Sequence, residues 1–216
     1  MTTNGATNFL FDPALLPSTY KKLPKHITMR PLSRDENFAK YMDLLDQLAQ
    51  PETSNGPRPS QAEAQAHFDD MKRGGVTYVV IAEDKGTGDV VATGTVLIEQ
   101  KFIRNAAKAA HIEDIVVSST QRGSGLGLIV IDTLNHLARE LGCYKTILDC
   151  AEKNVGFYEK CGFTRSGVEM KKYHRKGNLR QSLSAVMKYV MDAGGGISDY
   201  MYTGQETESV YRRHRQ

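Results

Sequence analysis

The chain has 216 residues and a formal net charge of +3, and this length favours one domain with a substantial core over two full domains. So small a charge gives little reason to expect a nucleic-acid partner, and no apolar run approaches the ~20 residues needed to span a membrane. The three cysteines are an odd number without metal-ligand spacing, which indicates reduced thiols, no bound metal and a cytoplasmic location.

The first part of the chain predicts a leader, a strand and two helices. Residues 1–24 mix polar residues with prolines without a sustained period, which predicts a flexible leader. Ile27 and Met29 fit a short strand. We expect the two helices to end at Pro51 and at Gly74–Gly75. Each helix should begin at a capping box, in which a serine and a glutamate three positions later bond to each other's backbone N–H groups: Ser33 with Glu36, and Ser60 with Glu63.

Strands dominate the middle of the chain. Residues 76–83 and 90–101 are rich in β-branched residues, and the turn residues at 85–89 between them predict an antiparallel hairpin. Residues 111–118 predict a further strand. A long amphipathic helix follows a glycine-rich stretch and should stop at Gly142. The last predicted elements are a strand over 144–150, a short helix over 154–160, a final strand over 163–170 and a short helix over 183–191.

The glycine-rich stretch, residues 121–127, has the sequence Gln-Arg-Gly-Ser-Gly-Leu-Gly. Glycines at alternate positions can adopt positive φ, which leaves consecutive backbone N–H groups and the helix N-terminus free for a phosphate. Spacing excludes two common phosphate motifs. A P-loop would need a Lys-Ser or Lys-Thr pair at positions 128 and 129, where this chain has Leu128 and Ile129. A dinucleotide-binding fingerprint would need a third glycine at position 128 or 130, where this chain has Leu128 and Val130. A glycine-rich turn without a ligand is the other interpretation.

Four segments in one order resemble the glucosamine-6-phosphate N-acetyltransferase family of the GNAT acyltransferase superfamily, especially its fungal members. They are His111–Val117, the glycine-rich stretch, Gly142–Cys150 and Lys153–Phe163. The resemblance covers roughly residues 26–172. It implies an α/β (α+β) GNAT fold over residues 25–173, with a mixed, mostly antiparallel central sheet flanked by helices. Residues 174–216 would be a C-terminal extension that is partly mobile.

The same resemblance implies a function. The enzyme would transfer acetyl from acetyl-CoA to the amine of glucosamine 6-phosphate, for UDP-N-acetylglucosamine synthesis, and it would be a homodimer with a shared active site. Direct transfer in a ternary complex is expected, because neither Cys150 nor Cys161 has a histidine beside it in sequence and apolar neighbours predict inert thiols. A GNAT enzyme for another small amine or a protein N-terminus, and a silent acyl-CoA-binding domain, are the alternatives.

Residues for the cofactor follow from the resemblance. Tyr158 would stabilise or protonate the coenzyme A thiolate, since a phenol with a pKa of about 10 is protonated at neutral pH. Without the resemblance, Tyr158 would be interpreted as an aromatic residue packed beside Phe157 and Phe163. The expected acetyl-CoA contacts are Ile115, Val116, Val117, Arg122, Gly123, Ser124, Gly125, Leu126, Gly127, Leu128, Asn154 and Tyr158.

Residues for the amino sugar also follow from the resemblance. Glu113 and Asp149 would act as catalytic carboxylates beside the amine, with Asp149 reaching it from the neighbouring subunit. Glu113 and Asp114 are adjacent in a strand, so they should point to opposite faces unless a bulge intervenes. Structural salt bridges are the alternative role. The expected sugar-phosphate contacts are Lys101, Phe102, Ile103, Arg104, Glu113, Asp114 and Asp149, whereas the family's C-terminal arginine has no evident counterpart.

Overall fold

Five strands pair into one sheet at the centre of the fold: β1 (Ile27–Pro31), β2 (Thr77–Asp84), β3 (Val90–Gln100), β4 (Lys108–Val117) and β5 (Cys143–Leu148). The structure is a computed structural model that describes residues 8–48 and 58–172. The strands lie in chain order, and the first four pair antiparallel while β5 pairs parallel with β4. The predicted mixed, mostly antiparallel sheet is therefore confirmed.

Helices cover both faces of this sheet: α1 (Phe38–Leu45), α2 (Gln61–Gly74), α3 (Ile103–Ala106), α4 (Leu126–Glu140) and α5 (Val155–Lys160). Thr93 and Gly94 are neighbours in β3 and so point to opposite faces. The Tyr41 hydroxyl of α1 lies 3.2 Å from Thr93 Oγ1, whereas Gly94 faces Leu134 of α4. The core lies between these layers, and burying one large apolar side chain contributes roughly 1.5–3 kcal/mol.

The predicted start of α1 is wrong. Asn37 caps the helix, because its side-chain oxygen accepts a hydrogen bond from Lys40 N at 3.2 Å. Glu36 is buried, and a buried carboxylate needs a cation. It pairs with Arg30 instead of the Ser33 backbone, at 2.9 Å between Arg30 Nη1 and Glu36 Oε2. The helix ends at Leu45, and the predicted stop at residue 51 lies outside the described residues.

Most of the other predicted helix ends and strands are confirmed. Ser60 and Glu63 form the capping box of α2, and Gly75 ends that helix in the left-handed conformation with φ 65°. Gly142 and Gly162 have φ values of 78° and 85° at the ends of α4 and α5, where a positive φ favours glycine. The hairpin of β2 and β3 and the strands β4 and β5 lie where they were predicted.

The final predicted strand, residues 163–170, is wrong, since no strand of the described chain pairs with it. Its first residue instead continues the end of α5, where Phe163 N donates to Tyr158 O at 3.1 Å. The predicted helix over 183–191 and the extension 174–216 lie outside the described residues.

Part of the predicted leader is packed. Leu10 and Phe11 are buried, and Leu10 N donates to Leu32 O at 2.9 Å. Residues 1–7 lie outside the described residues. The contacts divide the chain into two units, 1–167 and 168–216, and of the second unit only residues 168–172 are described. Within the described residues, no helix has the length and apolar character to cross a membrane.

Candidate active site

The strands β4 and β5 separate at one end of the sheet. Their pairing stops at Ile112 and Leu148, so residues 113–117 of β4 have no strand partner on that edge among the described residues. On the other edge, Ser118 N donates to Val91 O at 2.8 Å. Since hydrogen bonding alternates along an antiparallel pair, the N–H and C=O of Val117 point towards the open edge. Backbone groups at the end of β4 are thus available to a ligand.

A bulge in β4 lies at the same place. Thr95 pairs with Glu113 and Thr93 pairs with Val116, so two residues of β4 oppose the single residue Gly94. Asp114, at the bulge, has φ 54°, a left-handed conformation that costs free energy for any residue except glycine. Regular alternation is therefore interrupted at the Glu113 and Asp114 pair. A bulge, the exception to regular alternation named above, is therefore present in β4.

The bulge brings both carboxylates to the α1 side of the sheet. Glu113 shares the face of its partner Thr95, which is the face of Thr93 and α1. Burial, with a smaller contribution from the nearby charge of Asp114, raises the pKa of Tyr41 in α1 to about 12. Desolvation raises the pKa of Asp114, although the residue as a whole is exposed. Opposite faces were expected for these two residues only in the absence of a bulge, and the bulge removes that constraint.

Charged side chains gather around His111 on this face. Its Nε2 lies 3.3 Å from Asp149 Oδ2, and its Nδ1 lies 3.8 Å from one oxygen each of Glu99 and Glu113. Lys101 pairs with Glu99, and this hydrogen bond lowers the pKa of Glu99. Three strands thus bring the predicted residues Lys101, Glu113 and Asp149 into one cluster.

The segment after β3 forms a turn at the edge of this cluster. Arg104, Asn105 and Ala106 all have positive φ, between 56° and 57°, within the single turn α3. Arg104 Cζ lies 5.1 Å from the centre of the Tyr144 ring, a cation–π contact that holds the guanidinium near β5. Phe102 and Ile103 are exposed. The turn presents Lys101 and Arg104 from one side of the cluster.

The glycine-rich stretch forms an open loop before α4. Gly123 and Gly125 have φ values of 82° and 86°, and a β-carbon on either would meet no atom within 4 Å. The N–H groups of Arg122, Gly123 and Gly125 donate to no atom of the described residues, whereas Ser124 N bonds to Gln121 O at 3.3 Å. Gly125 begins α4 without a side-chain cap. The loop therefore presents free amides beside a positive helix end, as an anion site requires.

Gly127 joins this loop to α5. A β-carbon there would lie 3.2 Å from Phe157 Cζ and 3.6 Å from Val117 Cγ2. Absence of a side chain at Gly127 lets the first turn of α4, the end of β4 and α5 meet closely. Tyr158 follows Phe157, and the two ring centres lie 5.0 Å apart.

Tyr158 packs with aromatic neighbours and keeps its hydroxyl free. Its ring centre lies 6.2 Å from that of Phe163, in an edge-on arrangement. Burial raises the pKa of Tyr158, and the neighbouring Cys150 and Cys161 raise it further. The hydroxyl has no hydrogen-bond partner among the described residues, so a phenolic proton is available to a ligand atom. Asn154 precedes Tyr158 by one helical turn and is exposed.

The three cysteines are free thiols. Burial raises the pKa of Cys143 and Cys161, which lowers their thiolate fraction. Cys161 Sγ also donates to Phe157 O at 3.3 Å. Cys150, in contrast, is exposed and follows Asp149 directly.

Comparison with known proteins places this geometry in a family. Residues 42–163 match the acetyltransferase (GNAT) family model. A glucosamine 6-phosphate N-acetyltransferase 1 from Dictyostelium discoideum is 40% identical over 148 residues, which are 68% of this chain and 90% of that protein. A glucosamine 6-phosphate N-acetyltransferase from Candida albicans is 37% identical over 150 residues, 68% of this chain and 96% of that protein. The chain belongs to the glucosamine 6-phosphate N-acetyltransferases of the GNAT family.

Solved structures agree with this assignment. The crystal structure of glucosamine-6-phosphate N-acetyltransferase from Arabidopsis thaliana superposes with a TM-score of 0.63 at 36% identity, covering 68% of this chain and 97% of that one. The predicted GNAT fold is therefore confirmed. In this GNAT domain, three elements meet at Gly127: the end of β4, the loop before α4, and α5. The charged cluster around His111 lies on the α1 side of the sheet.

Two members of the cluster, His111 and Glu99, are not among the site residues predicted from the sequence. Alternation along a strand places His111 on the face of Glu113, and Glu99 on the face of Lys101, two positions away in each case. This spacing was the available signal. The partners across the sheet required the register of β3, β4 and β5.

Proposed function

We propose that the protein transfers the acetyl group of acetyl-CoA directly to the amine of glucosamine 6-phosphate, within a ternary complex and without an acyl-enzyme. The product, N-acetylglucosamine 6-phosphate, would serve UDP-N-acetylglucosamine synthesis in the cytoplasm. The observation that carries the proposal is the junction of two surfaces: an amide-rich loop before α4, and a carboxylate-bearing sheet face beside the open end of β4. Membership of the family supports the choice of substrates.

Acetyl-CoA would lie along the loop and the open edge of β4. The free N–H groups of Arg122, Gly123 and Gly125, with the N-terminus of α4, suit the pyrophosphate. The remaining predicted contacts, Ser124, Leu126, Gly127 and Leu128, belong to the same loop and first turn. The outward N–H of Val117, within the segment from Ile115 through Val116, would polarise the thioester carbonyl and stabilise the oxyanion. Asn154 and Tyr158 would close the thiol end.

The amino sugar would lie on the sheet face that carries the charged cluster around His111. Asp149 and Glu113 would orient the amine, and a carboxylate of this group would accept its proton directly or through water. Asp114, at the bulge, would contact the sugar. A sugar phosphate carries close to two negative charges at neutral pH, which Lys101 and Arg104 would offset from the turn that contains Phe102 and Ile103.

Direct transfer fits the placement of the thiols. A ping-pong route needs a thiolate with an activating base. No histidine hydrogen-bonds to Cys150, Cys143 or Cys161 among the described residues, and burial disfavours the thiolates of the last two. The neutral amine would attack the thioester carbon, and the tetrahedral intermediate would collapse to the amide and the coenzyme A thiolate. The Tyr158 hydroxyl would stabilise or protonate that thiolate, since its raised pKa keeps the proton in place.

A homodimer with a shared site is also proposed. Asp149 and Glu113 of one chain already lie on either side of His111, so an across-subunit role for Asp149 needs a test of its own. Asp149→Ala mixed with a Gly125→Ala variant should regain activity if each site draws Asp149 from the other subunit. Mixtures with no more activity than their components would assign the residue to its own chain.

Release of coenzyme A tests the activity. Purified protein and acetyl-CoA are incubated with glucosamine 6-phosphate, with glucosamine, with glucose 6-phosphate, and with polyamines and peptide N-termini. We expect turnover with glucosamine 6-phosphate, weak turnover with unphosphorylated glucosamine, and none with glucose 6-phosphate, which lacks the amine. Preferential turnover of a polyamine or peptide would move the protein to another acceptor class, and acetyl-CoA binding without turnover would contradict catalysis.

A further inference from the structure

His111 lies between the three carboxylates of the charged cluster, those of Glu99, Glu113 and Asp149. Its two ring nitrogens face opposite directions along the sheet: Nε2 lies 3.3 Å from Asp149 Oδ2 on the β5 side, and Nδ1 lies 3.8 Å from Glu113 Oε1 within β4. Glu99 Oε1 lies 3.8 Å from the same Nδ1, from the β3 side. Ionised carboxylates only accept hydrogen bonds, so a ring N–H of His111 that faces one of them acts as a donor.

The charges around His111 explain why a bridge is needed. The groups that face it are Glu99 from β3, Lys101 just after that strand, Glu113 from β4 and Asp149 from β5, and Lys145 of β5 acts on Glu99 electrostatically. Lys101 pairs with Glu99 and leaves Glu113 and Asp149 to each other. Two carboxylates with nothing between them repel and turn apart, whereas the His111 ring between them keeps their charges separated and can donate an N–H to one of them.

The cluster lies outside the core. The side chains of Asp149 and Glu113 are 50% and 48% exposed, while that of His111 is 21% exposed beneath them. Exposed ion pairs contribute little to stability, about 0–1 kcal/mol each. A role in the fold therefore gives little reason for three carboxylates around one imidazole, whereas a site that must receive an amine gives a direct one.

We propose that His111 is a positioning residue: it holds the carboxylates of Asp149 and Glu113 apart at fixed positions, so that each can face an acceptor amine, whichever subunit binds that amine. The inference rests on the proposed function and deepens it, since it concerns the acceptor half of that site alone. Acetyl-CoA binds along the loop before α4 and does not depend on His111.

The test compares His111→Phe, which removes both nitrogens, with His111→Gln, which keeps one donor. The exposed His67 of α2 provides the matched control His67→Gln. We expect His111→Phe to lower kcat/KM for glucosamine 6-phosphate about tenfold or more, with the Kd for acetyl-CoA unchanged and the Gln variant between the two. Asp149→Asn combined with His111→Phe should cost no more than the larger single effect, because the two changes break one interaction.

Two results would overturn the proposal. One is wild-type kcat/KM in a folded His111→Phe protein, and the other is full additivity with Asp149→Asn. Absence of turnover by the unaltered protein would instead contradict the proposed function. In that case the nitrogen NMR signals of the His111 ring decide the bridge, since they should move in Asp149→Asn and stay in place in an Asp132→Asn control on α4. Unmoved His111 signals in Asp149→Asn would refute the bridge. This result holds whatever the activity is, and it also decides the question if His111→Phe fails to fold.

Discussion

The side chain of Ile115 occupies the space beside Gly94 in which any other residue would place its β-carbon. A β-carbon built on Gly94 would lie 2.4 Å from Ile115 Cδ1 and 2.8 Å from Leu134 Cδ1. Such distances are far below van der Waals contact. The bulge of β4 turns Ile115 onto the α4 side of the sheet, and the absence of a side chain at position 94 makes room for it.

Gly94→Ala should therefore destabilise the protein by about 1–3 kcal/mol, because overpacking a well-filled core forces neighbours to shift. Urea unfolding followed by circular dichroism measures the change in free energy. Gly74→Ala is the matched control, since its new β-carbon meets nothing within 4 Å and its φ is not positive. Equal stability of the two variants would contradict the packing of Ile115 against Gly94.

Gly125→Ala should weaken acetyl-CoA binding about tenfold. Alanine tolerates φ 86° poorly, so the loop shifts its amides at a cost of roughly 1–2 kcal/mol. Gly142 has a similar φ of 78° and equally open surroundings, but it lies at the opposite end of α4. Gly142→Ala thus controls for backbone strain without touching the loop. Calorimetric titration with acetyl-CoA measures both, and similar affinities would argue against an anion site at this loop.

Tyr158→Phe should reduce kcat about 10²-fold and leave the Kd for acetyl-CoA within a factor of about two, because only the departing thiolate needs the hydroxyl. Burial raises the pKa of Tyr158, so ionisation of this phenol should not limit activity near neutral pH. Stopped-flow thiol release measures kcat. Unchanged turnover would remove Tyr158 from the chemistry and leave it as an aromatic packing residue beside Phe157 and Phe163.

Tyr41 should make the protein less stable in alkali. Burial raises its pKa from 10.0 to about 12, while the unfolded chain keeps the ordinary value. Below pH 10 both states hold the proton, so the full stability is present. Between pH 10 and 12 the unfolded state releases the proton first, and stability falls by roughly 1–3 kcal/mol.

Tyr41→Phe should flatten that fall, although not to zero, because burial also raises the pKa of Tyr20 to about 12. Urea unfolding at a series of pH values measures the slope, with the exposed Tyr144→Phe as control. A slope unchanged in Tyr41→Phe would show that this hydroxyl ionises as readily in the folded protein as in the unfolded one.

The fold was predictable where the signal is local. The capping box at Ser60 and the glycine at 142 set helix ends through their own backbone geometry, and both predictions are confirmed. Predictions failed where a contact outside the predicted element decides. Glu36 had the spacing for a capping box but is held by Arg30 of β1, and residues 163–170 have β-like composition without a neighbouring strand in the described chain.

The candidate site divides in the same way. The loop at 121–127 and Tyr158 follow from short motifs, because their chemistry depends on a few consecutive residues. The cluster around His111 depends on the register of three strands, and the orientation of Glu113 and Asp114 depends on a bulge opposite Gly94. Neither the register nor the bulge leaves a pattern in the sequence of one strand.

Cys150 gives the candidate active site an accessible thiol. It is exposed and directly follows Asp149, whereas burial raises the pKa of Cys143 and Cys161. A maleimide or a chloroacetamide should therefore modify Cys150 first, and the bulky adduct would stand near Asp149 and Tyr158. Electrophiles attached to a hexosamine would bring the reactive group to this thiol, so Cys150 is a target for covalent inhibitors of the enzyme.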